Sequence, residues 1–157
     1  MGINMAILQT VEGGPQLRMS DIETLERRLG ISLPRTYRDF LVRGNGGRPE
    51  RDLFAVLGCT ANPVARIHLF FGINDPIDSC NVTWNVEVLR ERLPKELIPI
   101  ATTEGADKIC LASDTGAIVY WDGYSNELFP VARSFDAFVD SLFRDDLSPS
   151  LEPEAES

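Results

Sequence analysis

Two short apolar segments joined by a four-residue turn constrain the fold of this chain most. Lys108–Ala112 and Ala117–Trp121 are largely apolar, and the four residues between them, Ser-Asp-Thr-Gly, are types that turns favour. Two strands connected in this way are typical of a β-hairpin. The sequence therefore predicts a β-hairpin over residues 108–121.

The N-terminal part of the chain has helical signals instead. Ser20 and Glu23 have the S-x-x-E spacing of a capping box, which predicts a helix that begins at Ser20 and ends at Gly30. A second helix is predicted to begin at Pro34, because proline suits the first helical position. Residues 44–47, Gly-Asn-Gly-Gly, tolerate positive φ and are predicted to end this helix in a turn.

The remaining elements alternate between strand and helix patterns. Further strands are predicted at Asp52–Leu57, Arg66–Phe71, Leu97–Ala101 and Glu127–Val131, a helix at Asn81–Arg92, and a last helix capped by Ser134. The helix Asn81–Arg92 is expected to cover one face of the sheet, with Trp84 in the core. At 157 residues, the chain has the length of a single domain.

The charge of the chain is unevenly distributed. The formal net charge is −9, which disfavours a nucleic-acid partner, because binding to phosphate needs clustered Lys and Arg. Residues 1–60 contain eight Arg and seven acidic residues, a balance of +1, whereas residues 61–157 contain seven basic and seventeen acidic residues, a balance of −10. The acidity therefore belongs to the C-terminal part.

The supply of reactive residues argues against an enzyme. A Ser-His-Asp or Cys-His site needs a base beside its nucleophile, and His68 is the single histidine. The aspartates lack the spacing of a calcium loop, so no metal and no cofactor are predicted. Cys59, Cys80 and Cys110 are too sparse for a disulfide framework or a zinc site and are expected to be buried free thiols.

One enzymatic alternative stays open. Glu104, Asp107 and Asp122 would provide acid–base groups if they converged in a pocket that excludes water. A pocket framed by Asp107, Asp122 and His68 could also hold a small molecule or a hydrolytic site.

The chain has no apolar run of the roughly 18–20 residues that a membrane-spanning helix needs, and its start lacks a basic segment before the first apolar stretch. We therefore expect a cytoplasmic protein that does not bind a membrane.

The order of helices, glycine turn, strands and hairpin resembles the SUKH (Smi/Knr-like) superfamily. The opening signature is similar in Ile22-Glu23-x-Leu25-Glu26, Leu33-Pro34-x-x-Tyr37-x-x-Phe40-Leu41 and Asn45-Gly46-Gly47, and the second block is similar in Ile100-Ala101, Gly105 to Leu111 and Val119-Tyr120-Trp121-Asp122. Together these segments span about residues 20–143.

The resemblance implies a single α+β domain with a largely antiparallel twisted sheet and helices packed on it. The domain is expected over residues 20–144, after a lead-in at 1–19 and before an acidic, disordered tail at 145–157. Many bacterial members are immunity proteins that neutralise polymorphic toxins, often nucleases or deaminases, by stoichiometric binding. Fungal relatives regulate cell-wall synthesis through protein contacts, so an adaptor role is the alternative.

An acidic immunity protein suits a basic toxin domain, because opposite charges speed association. We therefore expect a non-catalytic protein whose contact surface lies in the acidic C-terminal part. The candidate partner-binding residues are Glu104, Asp107, Asp114, Trp121, Asp122 and Tyr124. Phe129 is a further aromatic candidate, Trp121 is a candidate for either the core or the interface, and exposed sheet edges make a homodimer conceivable.

Overall fold

The structure, a computed structural model, describes residues 10–59, 63–103 and 105–145. Within these ranges the helices are Met19–Leu29 (α1), Arg35–Gly44 (α2), Val82–Val88 (α3) and Phe135–Ser141 (α4). The strands are Thr10–Val11 (β1), Arg48–Pro49 (β2), Leu53–Ala55 (β3), Val64–Arg66 (β4), Leu69–Phe70 (β5), Leu97–Thr102 (β6), Lys108–Ala112 (β7), Ile118–Trp121 (β8) and Leu128–Ala132 (β9).

The main sheet has five antiparallel strands in the order β5-β6-β7-β8-β9. The predicted hairpin is confirmed, since β7 pairs with β8 and Lys108 lies opposite Trp121. Gly116 in its turn has a φ of 83°, which glycine adopts without steric cost. The predicted α+β fold with a largely antiparallel sheet is therefore confirmed.

The predicted strand Arg66–Phe71 is divided between two sheets. β4 ends at Arg66 in a small ribbon with β3, whereas β5 begins at Leu69 in the main sheet. The division occurs where the backbone changes partner: the Ile67 N–H donates to Asp52 and the His68 N–H donates to Thr102. Phe70 and Phe71, which as neighbours in a strand point to opposite faces, are both buried.

One face of the sheet packs against α2 and α4 through aromatic rings, and Ile22 and Leu25 of α1 are buried in the same core. The ring centroids of Phe40 and Phe70 are 4.8 Å apart, and those of Tyr37 and Phe135 are 5.2 Å apart. Phe138 of α4 is fully buried, as its predicted apolar face requires. Each buried ring of this kind stabilises the fold by roughly 1.5–3 kcal/mol relative to an exposed one.

The other face of the sheet is covered by the segment around α3. Strand residues alternate between faces, so Ile109 joins the larger core whereas Cys110 and Trp121 join a smaller one. Leu89 and Leu93, just after α3, pack in this smaller core. The helix is shorter than the predicted Asn81–Arg92, and its own Val82 is buried in the larger core, so the smaller core is covered by the residues that follow the helix.

The start of α1 differs from the prediction. The helix begins at Met19, and the carboxylate of Asp21 accepts a hydrogen bond of 2.8 Å from the backbone N–H of Arg18. The predicted capping box of Ser20 and Glu23 is wrong, because both residues already lie inside the helix. The predicted end at Gly30 is confirmed by its left-handed φ of 71°.

The turn after α2 is built around a buried asparagine. Asn45 is 2% exposed, and its side chain donates to the carbonyls of Pro15 and Ile73 and accepts from the N–H of Ile73, all at 2.8 Å. Its φ of 49° is left-handed, as the predicted turn requires. A Cβ at the next residue, Gly46, would lie 2.6 Å from the Phe70 carbonyl oxygen, so only glycine fits there.

The predicted tail lies outside the described residues from 146 onward, as does Met5–Leu8 of the lead-in. No helix among the described residues is long and apolar enough to cross a membrane.

Candidate functional site

Four of the six candidate residues lie together at one end of the sheet. Asp107 precedes β7, Trp121 ends β8 opposite Lys108, and Asp122 and Tyr124 follow in the turn to β9. Asp114 lies in the turn at the other end of the hairpin, a strand length of roughly 13 Å away. Glu104 lies outside the described residues.

The turn of residues 122–127, here called the tip, is closed by hydrogen bonds from both sides. The backbone N–H of Asp122 donates to the backbone carbonyl of Glu127, and the backbone N–H of Asn126 donates to the backbone carbonyl of Asp122, both at 2.9 Å. The Asp122 carboxylate accepts from the N–H groups of Tyr124 at 2.8 Å and Ser125 at 3.1 Å. Both hydrogen bonds, of which the one from Tyr124 has the larger effect, lower the pKa of Asp122 because they stabilise its charged form.

Asp107 braces the tip from the neighbouring strand. One carboxylate oxygen accepts from the N–H of Gly123 at 2.8 Å, and the other accepts from the hydroxyl of Tyr120. A Cβ at Gly123 would lie 2.7 Å from the carbonyl oxygen of Ala106, so this close approach requires glycine. Asp107 therefore holds the tip in place.

Trp121 and Arg92 tie the tip to the segment after α3. The guanidinium of Arg92 lies 4.8 Å from the centroid of the Trp121 ring and donates to the Gly123 carbonyl at 2.7 Å. The Trp121 indole N–H donates to Asn126 at 3.2 Å. Because Trp121 is only 1% exposed, its ring belongs to the smaller core and leaves no open face for a partner.

The tip exposes one aromatic side chain. Tyr124 is 90% exposed, and Glu127 and Leu128 beside it are also exposed. Asp107 and Asp122 each use an oxygen on backbone N–H groups, and Arg92 and Lys108 lie close to them. The acidic character of this surface is therefore weaker than the sequence predicts, and its contact capacity rests mainly on Tyr124.

His68 lies in a different setting. It is exposed and lines a cleft of about 470 Å³ with Arg48, Glu50, Asp52 and Arg66, among others, but not with Asp107 or Asp122. In this cleft Arg66 pairs with Asp52 at 2.8 Å. The pocket proposed for an enzyme, with all three residues, is thus not the cleft that His68 lines.

The described residues contain no candidate metal site, and their cysteines are free thiols. No three His, Cys, Asp or Glu side chains in these ranges form a group that could hold a metal ion. The cysteines are free, with Cys59 and Cys110 buried and Cys80 half-buried. Burial raises the pKa of Cys110 to about 12, so this thiol stays protonated.

Trp84 is not in the core, contrary to the prediction. It is 40% exposed and Val88, one turn later, is 55% exposed. The face of α3 toward the sheet carries Val82 and Asn85 instead, and Leu89 follows them. Asn85 can be buried without a large cost because its amide donates to the backbone carbonyls of Ser79 and Asn81.

Sequence reasoning missed two parts of this region: the role of Arg92 and the exposed face of α3. Arg92 bonds to a carbonyl 31 positions away, which no local pattern indicates. Trp84, Val88 and Leu89 recur at i, i+4 and i+5, a spacing that predicts one buried stripe, but of the three only Leu89 is buried. The burial of Asn85 depends on hydrogen bonds to the carbonyls of Ser79 and Asn81, which the helical period does not indicate.

Comparison with known proteins places this fold. The sequence model of the SMI1 / KNR4 family (SUKH-1) matches residues 17–141, from just before α1 to the end of α4. The chain belongs to this family. The resemblance noted from the SUKH motifs is therefore confirmed.

Two known proteins are similar to this SMI1 / KNR4 family chain over most of its length. A protein described as SPbeta prophage-derived uncharacterized protein YokK, from Bacillus subtilis (strain 168), is 26% identical over 155 aligned residues, which cover 85% of this chain and 80% of that protein. A crystal structure of a protein from Pseudomonas syringae pv. tomato superposes with a TM-score of 0.56 at 18% identity, covering 88% of this chain and 91% of that chain. The second likeness shows the shared fold alone.

Proposed function

We propose that this chain is a non-catalytic, cytoplasmic immunity protein that neutralises a toxin nuclease or deaminase by stoichiometric binding. Membership of the SUKH-1 family supports this, because members of the family are commonly immunity proteins. The observation that carries the proposal is Tyr124, which is 90% exposed on a tip held by many hydrogen bonds.

A tyrosine held in this way is suited to protein binding. Interface hot spots favour Tyr and Trp, which bury a large area with few rotatable bonds. Binding also costs conformational entropy, and that cost is smaller when the backbone is ordered beforehand. The tip is ordered by Asp107, Asp122 and Arg92, so Tyr124 is presented with little backbone freedom left to lose.

The charge of the chain suits a basic partner. Residues 61–157 carry a balance of −10, and a nuclease that grips phosphate is basic. Opposite net charges raise the rate of association even where few ion pairs form in the final contact. We therefore expect the partner to contact Asp122 and Tyr124 of the tip and Asp107 beside it, with Glu104 near them in sequence. Asp114 would belong to the contact only if the partner reached both ends of the hairpin. Trp121 acts by supporting the tip from the core.

Co-expression tests this proposal. The chain is produced together with a toxin domain encoded beside its gene, and growth and complex formation are measured. We expect the wild-type chain to restore growth and to form a 1:1 complex, and Tyr124→Ala to weaken binding by roughly tenfold or more. Leu57→Ala, at a residue that is also highly exposed, is the matched control and should bind normally.

Two outcomes would contradict parts of the proposal. If the chain binds a protein without neutralising a toxin, the adaptor role is favoured. If no neighbouring toxin is bound or neutralised, the immunity function is rejected.

A further inference from the structure

The solvent-facing side of α3 has an apolar centre, here called the α3 face, which consists of Trp84 and Val88, and Ile77 in the turn before the helix is exposed as well. These side chains are 40%, 55% and 60% exposed. Trp84 and Val88 are four residues apart and therefore adjacent on the helix surface. Two adjacent exposed apolar side chains on a helix that buries Val82 and Asn85 on its other side form a patch of the kind that marks interaction sites when polar residues surround it.

The turn and the helix that carry this face are held rigidly. The Asn81 side chain accepts from the N–H of Asp75 at 2.8 Å and donates to the carbonyl of Ile77 at 3.2 Å. The Asp75 carboxylate accepts from the N–H of Ile77 at 2.8 Å. Like the tip, the α3 face is therefore ordered before any partner binds.

The surroundings of the α3 face are acidic. Residues 75–91 contain Asp75, Asp78, Glu87 and Glu91 against a single base, Arg90, a balance of −3. Arg90 is itself paired with Glu87. An apolar centre with an acidic rim complements a partner surface that has apolar groups surrounded by Lys and Arg.

The tip is bonded to the segment that follows α3 in the chain. Arg92, which follows the helix, donates to the Gly123 carbonyl of the tip at 2.7 Å. A partner that covers an ordinary contact area, about 800 Å² per side, can therefore reach both the α3 face and the tip.

We infer that the α3 face is a docking surface for the basic protein partner, with Trp84 as its anchor and Glu87 and Glu91 as its charged rim. This inference rests on the proposed function and adds the place where the apolar and cationic groups of the partner bind. It predicts that complex formation buries Trp84, whereas Trp121 is buried already.

Tryptophan fluorescence tests the inference directly. The probe is a catalytically inactive toxin domain encoded beside the gene, in a variant without tryptophan of its own. In the free chain, acrylamide should quench the emission of Trp84 and leave that of Trp121 nearly unchanged. On binding, we expect the emission to shift to the blue and the accessible fraction to be lost, and the variant Trp84→Phe should show neither change.

Binding by surface variants gives a second measurement. We expect Val88→Ser combined with Glu91→Lys to weaken binding by roughly tenfold or more. The matched control combines Leu57→Ser with Glu23→Lys, at an exposed apolar and an exposed acidic residue outside the α3 face, and should bind like the wild type. Thermal unfolding of each variant checks that the fold is kept.

The outcomes separate the two proposals. If the wild-type chain binds the toxin while Trp84 stays open to acrylamide and the variants bind normally, the inference is overturned and the proposed function stands. If the wild-type chain neither binds nor neutralises the toxin, both are overturned.

Discussion

A single buried amide joins three backbone segments in this fold. Asn45 bonds to Pro15 and Ile73 through its side chain, and its own carbonyl accepts from the N–H of Gly14 at 3.0 Å. The side-chain amide of Asn45 donates two hydrogen bonds and accepts one, and all three partners are buried or half-buried backbone groups. The lead-in, the end of α2 and the segment after β5 therefore depend on one residue for their arrangement.

Replacing Asn45 should consequently be costly. Asn45→Ala leaves one N–H and two carbonyls without a partner, and we expect a loss of roughly 3 kcal/mol or more in the free energy of unfolding. Urea unfolding followed by circular dichroism measures this loss. Asn74→Ala is the control for positive φ, since Asn74 has a φ of 59° but is exposed, and it should cost only about 1 kcal/mol. Equal costs for the two variants would show that the hydrogen bonds of Asn45 contribute little.

Residues also show where sequence reasoning met its limit. Trp84 and Trp121 both follow apolar patterns, yet one is 40% exposed and the other 1%. The difference arises because α3 is rotated to bury Asn85, whereas β8 lies between two paired strands. The spacing of apolar residues indicates whether an element is a helix or a strand. It does not determine which side of that element faces its neighbour.

Among the elements, α1 shows how a start signal can be displaced by two positions. Both Ser20 and Asp21 are residues that favour the start of a helix, and here the Asp21 carboxylate accepts the hydrogen bond from the backbone N–H of Arg18. The helix therefore begins at Met19, before the predicted residue.

This assignment predicts that substitutions at the neighbouring residues Asp21 and Ser20 change the free energy of unfolding by different amounts. Asp21→Ala should lower the free energy of unfolding by about 1 kcal/mol, because the N–H of Arg18 loses its acceptor. Ser20→Ala should change it by less than about 0.5 kcal/mol. Chemical denaturation of the two variants in parallel decides between them, and a larger loss from Ser20→Ala would restore the original capping box.

The tip is the element whose order depends on pH. The pKa of Asp122 is lowered in the folded chain by the N–H groups of Tyr124 and Ser125. The stabilisation from a carboxylate with a lowered pKa is complete above its unfolded pKa, about 3.9, and is lost as pH falls through the folded value. The tip should therefore be ordered at pH 5–7 and loosen below about pH 4.

Hydrogen exchange of the backbone amides can measure this loosening. We expect the amides of Tyr124 and Ser125 to lose protection as the pH falls below about 4, after correction for the intrinsic exchange rate. The amide of Gly116, which bonds to the Ala112 carbonyl in the other turn, should not change in this range. Asp122→Ala should remove the pH dependence and leave the tip loose throughout.

At the scale of the whole molecule, the two sides of the sheet serve different ends. One side packs the larger core with α1, α2 and α4, and the other packs the smaller core around Trp121. The α3 face and Arg92, which contacts the tip, both belong to the segment that covers the smaller core. The segment that carries the proposed contact surface therefore borders both cores, because Val82 of α3 is buried in the larger core and Leu89 in the smaller one.

The net charge leads to a prediction for association. With a basic partner, raising the salt concentration from about 50 to 500 mM should lower the association rate by roughly tenfold and change the dissociation rate much less. Stopped-flow mixing measures both rates. An association rate that does not depend on salt would mean that the acidity of the chain has no part in finding the partner.

The sequence by itself determined the kinds of element, their order, the hairpin, the glycine turn and the family, because periodicity, turn chemistry and motif spacing are local properties of the chain. Tertiary structure alone decided that Arg66–Phe71 divides between two sheets, that Asn45 joins three segments, and that Trp121 is buried and Trp84 exposed. Each of these depends on contacts between residues far apart in sequence, and such contacts exist only once the elements have packed.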